Sequence, residues 1–454
     1  MGIESRHPQY TWERADEWRL MRDAMDGETA IKGRGILHLP MPSSYAAMSD
    51  GGRAAYGAYL NRASFPEILA PAISGMVGVA HSKEISIELP DALEYLWEDA
   101  DGDGMPLEEL HRLITRELLS IGRYGLLADA PEGGGDPYLA GYSGETIINW
   151  DRGLFVLDES GPVRDGYAWK DRRQFRALML DNGRYRQIVQ TGDTLTEAEP
   201  VASGGRALAF IPFDVASAID QKPDVRTPPL IGVARAARAI YQLDADYRHQ
   251  LYWSGQETLV VINGEAPSAV GAGAVIALTG AEGIVPDVKY VGPSCSGIDA
   301  HKDAIEARRQ DAISAGAKLL EQQERAQESG EARKLRFAAD TATLQSVVRS
   351  SCGLLEKGLR NAAAIKGIPP ESVVVDVPQN LMDGTMTPVE AEALMRVWID
   401  GGISYPTFYE ALQRGGIASP ERDEAEEYRL IERDRDRREG FDDTGDAQDP
   451  LIAG

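Results

Sequence analysis

The stretch TPPLIGVARAARAIYQLDADYRHQLYWSGQETLVVING (227–264) changes character part-way along. Over 230–253 its apolar residues recur at helical spacing, and ETLVVI (257–262) then becomes a compact β-branched run of the kind that forms a strand. The flanks extend this view. Upstream, from about 145 to 215, TIINW, GLFVL, YAWK, FRALML and RYRQIV are short strand-like runs separated by Gly, Asp and Asn. The DNG at 181–183 is a hairpin signal, because Asn-Gly accommodates the positive φ angles of a tight primed turn.

Further upstream, PLEELHRLITRELLSIG (106–122) predicts a helix with Pro at its start and Gly122 at its stop. A strand, YGLLADA (124–130), follows it, and EISIEL (84–89) alternates as another. Residues 1–32 predict an amphipathic helix with Trp12, Trp18, Leu20, Met21 and Met25 on one packed face, and 33–52 predict loop. Pro66 and Pro71 divide 53–80 into two short helices. Downstream, AVIALT (274–279) predicts a second strand beside 257–262, across a Gly/Ala-rich loop. Helices are expected over 298–328, 331–366, 387–399, 406–414 and 420–439, followed by a disordered end. The order α/β, then β, then α makes the fold class α+β.

The chain has 454 residues, 43% hydrophobic and 26% charged, which suits a folded protein of about two to four domains or sub-domains. No apolar run is long enough for a membrane span, and the N-terminal stretch lacks the apolar region of a secretory signal. The formal net charge is −25. A protein that grips DNA through its phosphates needs a basic face, so any such face here is local and outweighed elsewhere. The two cysteines, Cys295 and Cys352, supply neither a disulfide scaffold nor a zinc site.

Catalytic motifs are absent. There is no phosphate-binding GxxxxGK[ST] and no HExxH; GAGAVIALTG (271–280) and GPSCSG (292–297) fit neither nucleotide-binding nor nucleophile-elbow spacing. The six histidines show no metal-ligand spacing. Asp99, Asp101 and Asp103 match the first half of a calcium loop, but Leu110 stands where the closing Glu belongs, and a polar turn before the 106–122 helix is the alternative. The residues alone therefore describe a large acidic α+β protein with no catalytic constellation, no enzyme activity expected and no cofactor.

The order of blocks carries more. RASFPEILAPAISGMVGVAHSK (62–83), DGDGMPLEELHRLITRELLSIGRYGLLADAP (101–131), YLAGYSGETIINWDRG (138–153) and IPFDVA (211–216) precede the 227–264 stretch. GIDAHKDAIEARRQDAISAGAKLL (297–320), TATLQSVVRSSCGLLEKGLRNAA (341–363) and MTPVEAEALMRVWIDGGISYPTFYEALQRGGI (386–417) follow it. In this order the chain resembles, over about residues 10–435, the portal (head-tail connector) proteins of tailed bacteriophages, in a portal-like group labelled a domain of unknown function. It departs from the family at His81, where an aromatic is usual, and at Ala339-Asp340-Thr341-Ala342, where Glu-Thr-Ala is usual.

The resemblance implies a ring, usually of twelve subunits, at one capsid vertex of the virion, assembled in the host cytoplasm. Double-stranded DNA would pass through it during packaging and ejection. It further implies a wing part over 1–154, a β-rich clip over 155–227 and a stem helix over 228–254 with its apolar face against neighbouring subunits. A second wing part with the channel loop and a long helix would span 255–385, a helical crown 386–440 and a disordered tail 441–454. The implied partners are the terminase large subunit, a head-completion adaptor or the tail, and the major capsid and scaffold proteins; no membrane is involved. Lys289, Lys302, Arg308 and Arg309 are the candidates near the DNA path. Two other functions remain as alternatives. One is a calcium-dependent or hydrolytic enzyme centred on Asp99, Asp101 and Asp103. The other is a different ring-forming virion connector, such as an adaptor, against which the chain length argues.

Overall fold

The computed structural model describes residues 2–442 except 47–50, 83–84, 132–134, 256–257, 268–269, 271–282, 284, 293–296, 317–329, 379–387, 415–416 and 420–421. The chain divides into two units, Met1–Val377 and Pro378–Gly454. The class is mixed α+β, with several antiparallel sheets among helices.

The first unit begins with α1 (Trp12–Asp26), α2 (Glu28–Gly33), the single turn α3 (Ser43–Ala46), α4 (Gly52–Arg62) and α5 (Leu69–Ala80). The break between α4 and α5 contains Pro66, while Pro71 sits in the first turn of α5, where its missing N–H leaves no bond unmade. The expected loop 33–52 is in part helical. Trp12 departs from the expected packed face: it is 73% exposed, whereas Trp18, Leu20 and Met21 are buried. Trp12 is the first residue of α1, before any later turn packs over it.

Strand β1 (Ile87–Glu88) is followed by α6 (Leu107–Ser120), β2 (Arg123–Asp129) and β3 (Tyr138–Ser143). Gly122, at φ +82°, turns the chain from α6 into β2, a conformation that L side chains avoid. The β-rich region supplies β4 (Ile147–Asp151), β5 (Leu154–Asp158), β6 (Gly161–Asp165), β7 (Ala168–Arg172), β8 (Gln174–Asp181), β9 (Arg184–Thr191), β10 (Thr194–Ala198), β11 (Val201–Ala202), β12 (Arg206–Ala207) and β13 (Phe213–Ser217). Asn182 and Gly183 form the two-residue β8–β9 turn, both at positive φ, with Asp181 opposite Arg184.

Two sheets organise this unit. One has the order β13-β2-β3 and the other β10-β9-β8-β5-β4, all antiparallel. The second sheet runs across the expected 154/155 division, since β4 and β5 are hairpin partners within it. It is joined to the first by the ring contact of Phe213 with Phe155, and by a polar network around Arg176. The Arg176 guanidinium donates to Asp129 (3.1 Å), Glu159 (2.7 Å) and Gln187 (3.0 Å), while Tyr142 donates to Glu159 (2.7 Å). Burial pushes the Asp129 carboxyl up, opposed by Arg176.

After β13 come α7 (Ile231–Ser254), β14 (Thr258–Ile262), β15 (Asp287–Val291), α8 (Ile298–Ser314), α9 (Gly330–Lys366) and β16 (Val374–Val375), which pairs with β1. The helix expected over 298–328 stops at Ser314, and Gly316 at φ +133° follows its C-cap; 317–329 lie outside the described residues. So does the expected strand 274–279, and β14 pairs instead with β15. Helix α9 lies across β2 and β13 with α6 beside it, and Val347, Leu354, Leu355 and Leu359 are fully buried with Ile114, Leu118, Leu126 and Leu127. Where α9 comes nearest the sheet the residue is Gly358, and a Cβ there would collide with Leu126 Cδ2.

The second unit contains α10 (Pro388–Ile399), α11 (Tyr405–Arg414) and α12 (Glu424–Asp442). Trp398 stacks on Phe408, and Tyr405 meets Tyr428 edge-on. Beyond Asp442 the expected disordered tail lies outside the described residues.

A pair of histidines, His111 buried and His81 half-buried, joins α5, α6 and α9. The His81 and His111 rings meet at 4.7 Å; His81 Nε2 lies 3.0 Å from Thr115 Oγ1 and His111 Nε2 lies 3.1 Å from Ser351 Oγ. Thr115 and Ser351 donate their hydroxyl protons to the carbonyls of His111 and Val348, so each accepts from the histidine Nε2–H. Burial lowers His111 to about 3 and His81 to about 4. Both are neutral when folded and take up protons below about 6.5 when unfolded. Stability is therefore full above that value and falls as pH drops toward 4, by up to about 1.4 kcal/mol per pH unit per fully titrating histidine. Urea unfolding of the wild type and His111→Gln between pH 7 and 4.5 should show a shallower pH slope in the variant; equal slopes would mean that His111 carries none of it.

Candidate nucleic-acid interface

Helices α7 and α8 form an antiparallel pair. Gly232 lies against Ala315 at one end, and Gln250 Nε2 lies 3.1 Å from His301 Nε2 at the other. The base of α7 is built into the first unit: Ile231, Val233, Ala234, Ala237, Ile240, Tyr241 and Ala245 are buried, against neighbours that include α1, α4 and α8. The apolar face expected to meet other subunits is thus largely used inside the chain. Burial ends after Ala245. Leu251, Tyr252 and Trp253 are exposed, Trp253 by 53%.

The far end is held by contacts on α4: Tyr59 donates to Asp246 Oδ1 (2.6 Å), and the Arg62 guanidinium lies over Tyr252 at 4.3 Å. Within α7, Trp253 Nε1 donates to His249 Nε2 (3.0 Å). Beyond it, the β14–β15 hairpin leaves Tyr290 and Val291 exposed, as is Val285 before it. In α8 the buried residue is Ala312.

The candidate cations lie on these elements. Lys302, Arg308 and Arg309 are on α8, all exposed, and Lys289 is on β15 opposite Val260. At about 100° per residue, Lys302 and Arg309 share one face of α8 and Arg308 lies on the adjacent one. Lys289 belongs to a separate element. Each cation on α8 has an acid three residues away: Lys302 with Asp299 (3.5 Å), Arg308 with Asp311 (2.8 Å) and Arg309 with Glu306 (3.6 Å). Such exposed pairs add little stability, but they leave a face of mixed sign rather than a basic stripe. The exposed Leu251, Tyr252, Trp253, Val285 and Tyr290 were not picked out in the sequence, where helical spacing merges the first three with the buried face of α7.

The acidic loop lies elsewhere, before α6. Asp99 Oδ1 accepts from the Gly102 and Gly104 amides (2.8 and 2.9 Å), and Asp101 Oδ1 from those of Asp103 and Met105 (2.9 and 3.0 Å). These carboxylates shape the turn, and among the described residues no group of three His, Cys, Asp or Glu is placed to hold a metal. Cys352 is buried beside His111, and burial raises its thiol to about 12. Cys295 lies outside the described residues.

Comparison with known proteins adds the following. A family described as a domain of unknown function, DUF4055, matches residues 229–365, from α7 through α9. No curated protein matches the chain. Three solved structures come from gene transfer agent particles. A chain of the native-particle neck computed with C12 symmetry is 15% identical, covering 76% of this chain and 89% of that one, with a TM-score of 0.37. One from the empty-particle neck computed with C6 symmetry is 14% identical, covering 78% and 90%, with a TM-score of 0.36. One from the native virion is 16% identical, covering 76% and 89%, with a TM-score of 0.38.

The turn contacts lead to a direct expectation. Asp99→Ala removes an acceptor shared by two amides and should cost about 1–2 kcal/mol in calcium-free buffer. Thermal unfolding with and without millimolar calcium checks this. A wild type that is strongly stabilised by calcium, with no loss in the variant when calcium is absent, would make the loop a metal site instead.

Proposed function

We propose that the chain is a portal subunit that assembles, with about twelve copies on the family resemblance, into a closed ring at a capsid vertex. Double-stranded DNA passes through the ring during packaging and ejection. The ring is the docking point for the terminase motor and later for the adaptor or tail, and it is held among the capsid and scaffold proteins. The subunit is not itself an enzyme; a separate ATPase drives the DNA.

The observation that carries this proposal is the α7–α8 pair. It is anchored at its base, exposed along the face of α8 turned away from α7, and apolar at its tip. A long element of this kind makes physical sense when copies stand side by side. The ordered sequence blocks over 10–435 support the same conclusion, and the DUF4055 match falls on this pair and on α9.

Within this proposal the α7–α8 pair is the stem. The β14–β15 tip is the outward end offered to motor and tail, in place of the β-rich 155–227, because that region is packed into the body through the Arg176–Asp129 contact and the pairing of β13 with β2. The three helices of the second unit are the crown. A conduit must let DNA slide, and strong phosphate contacts would hold it back. The mixed-sign face of α8 suits that need, with Lys302, Arg308, Arg309 and Lys289 as weak guides.

Arg308→Glu with Arg309→Glu should leave the rings intact and lower the amount of DNA packaged several-fold. Packaged DNA is measured per particle. Unchanged packaging would remove these residues from the DNA path.

A further inference from the structure

The five-stranded sheet treats its two edges differently. At the β4 edge the N-terminal segment closes over: the His7 amide donates to Ile148 O (2.9 Å), and Ile3 and Tyr10 pack on the cluster of Ile148, Val156, Phe175 and Ala177. At the other edge, all five residues of β10 are exposed, and among the described residues its backbone pairs with β9 alone. A second bare edge lies on the same sheet system. The β6–β7 hairpin leaves between β5 and β8, all five residues of β7 are exposed, and they pair with β6 alone. Uncovered edges are templates for pairing with another chain, and folded proteins normally block them.

The chemistry of the two edges is complementary. The hairpin region 161–173 carries Arg164, Lys170, Arg172 and Arg173 against Asp165 and Asp171, within a chain of net charge −25. Tyr167 at its turn is fully exposed and Trp169 is 69% exposed. Arg164 stands opposite Trp169 in register; its Nε donates to Gly166 O (2.8 Å), and among the described residues it has no carboxylate partner. Lys170, by contrast, is paired with Asp165 and Arg173 with Glu4. On the β10 side, Leu195 is 66% exposed and shares a face with Glu197 by strand alternation. There, among the described residues, Arg186 is the one cation paired with Asp181, Glu197 and Glu199, so the edge keeps excess negative charge.

We infer that the β7 edge of one copy docks on the β10 edge of the next copy, with Trp169 against Leu195 and Arg164 toward Glu197 and Glu199. Trp, Tyr and Arg are the side chains that most often dominate interface energy. The two edges are different surfaces, so the contact is head-to-tail, and a closed rotation covers both in every copy with none left over. The inference rests on the ring proposed above and names a contact that ring would use.

The test uses the full chain. Trp169→Cys with Leu195→Cys should give an oxidant-dependent ladder of disulfide-linked chains, because paired strands bring Cβ atoms within disulfide reach; neither single variant should do so. Trp169→Glu, at an exposed site, should keep the circular dichroism spectrum and melting temperature of the wild type while shifting rings to monomers at concentrations where the wild type assembles. A wild type that forms rings, together with a double variant that gives no ladder or a Trp169→Glu protein that still forms rings, overturns this inference and leaves the ring proposal standing. A wild type that forms no ring, alone or with capsid and scaffold proteins co-expressed, overturns both.

Discussion

The contact on which most of this architecture depends is the close approach of α9 to β2 at Gly358. A helix of 37 residues crosses the three-stranded sheet, and the space a side chain would need at its nearest point is already filled by Leu126. With α9 placed there, α6 packs beside it and α5 packs on both through the His81–His111 pair. The chain also returns to the sheet at β16, which reaches back to pair with β1. The body is thus built around one helix-on-sheet layer, with a second sheet tied to it by Arg176. A partly buried cation serving two carboxylates is a poor source of net stability, because desolvation offsets attraction. Its role here is to bridge the two sheets, from Arg176 on β8 to Asp129 on β2.

Against that body, the α7–α8 pair stands out because it satisfies so little of its own surface. Its base is packed and its far end is tethered by Tyr59, Arg62 and Asp246, yet the face of α8 turned away from α7 is exposed within the chain. The same imbalance recurs at the bare β7 and β10 edges. Three incomplete surfaces in one unit are economically explained by neighbours of the same kind, and a ring provides them without leaving ends. Acidic composition fits that picture, since such a conduit gains from weak rather than strong contact with phosphates.

Local chemistry was well legible in the sequence. Pro66, Pro106, Gly122 and the Asn182-Gly183 turn act within a few residues of themselves, and each marks the boundary it implied. Pairings set by distant segments were not legible. The short β1 exists because Val374 and Val375 reach it from nearly 300 residues away, and β14 pairs with β15, whose sequence DVKYV is a weaker strand signal than AVIALT. Trp12 shows the limit of periodicity, because spacing places it on a face but cannot say where that face stops being covered. At the candidate interface the cations were visible as residues. That Lys302, Arg308 and Arg309 are each neutralised three positions away became clear only from the side-chain geometry. The exposed tip of α7 was hidden for the opposite reason: its apolar residues continue the spacing of the buried ones.

The central claim is that this chain is completed by copies of itself around a hole. The most direct measurement is the native mass of the purified full-length protein by light scattering, with electron micrographs of the same peak. The account predicts a species of about twelve times the 49.4 kDa chain mass, seen as closed rings with a central channel. A monomer or compact dimer at every concentration, with no ring even when capsid and scaffold proteins are co-expressed, would contradict it.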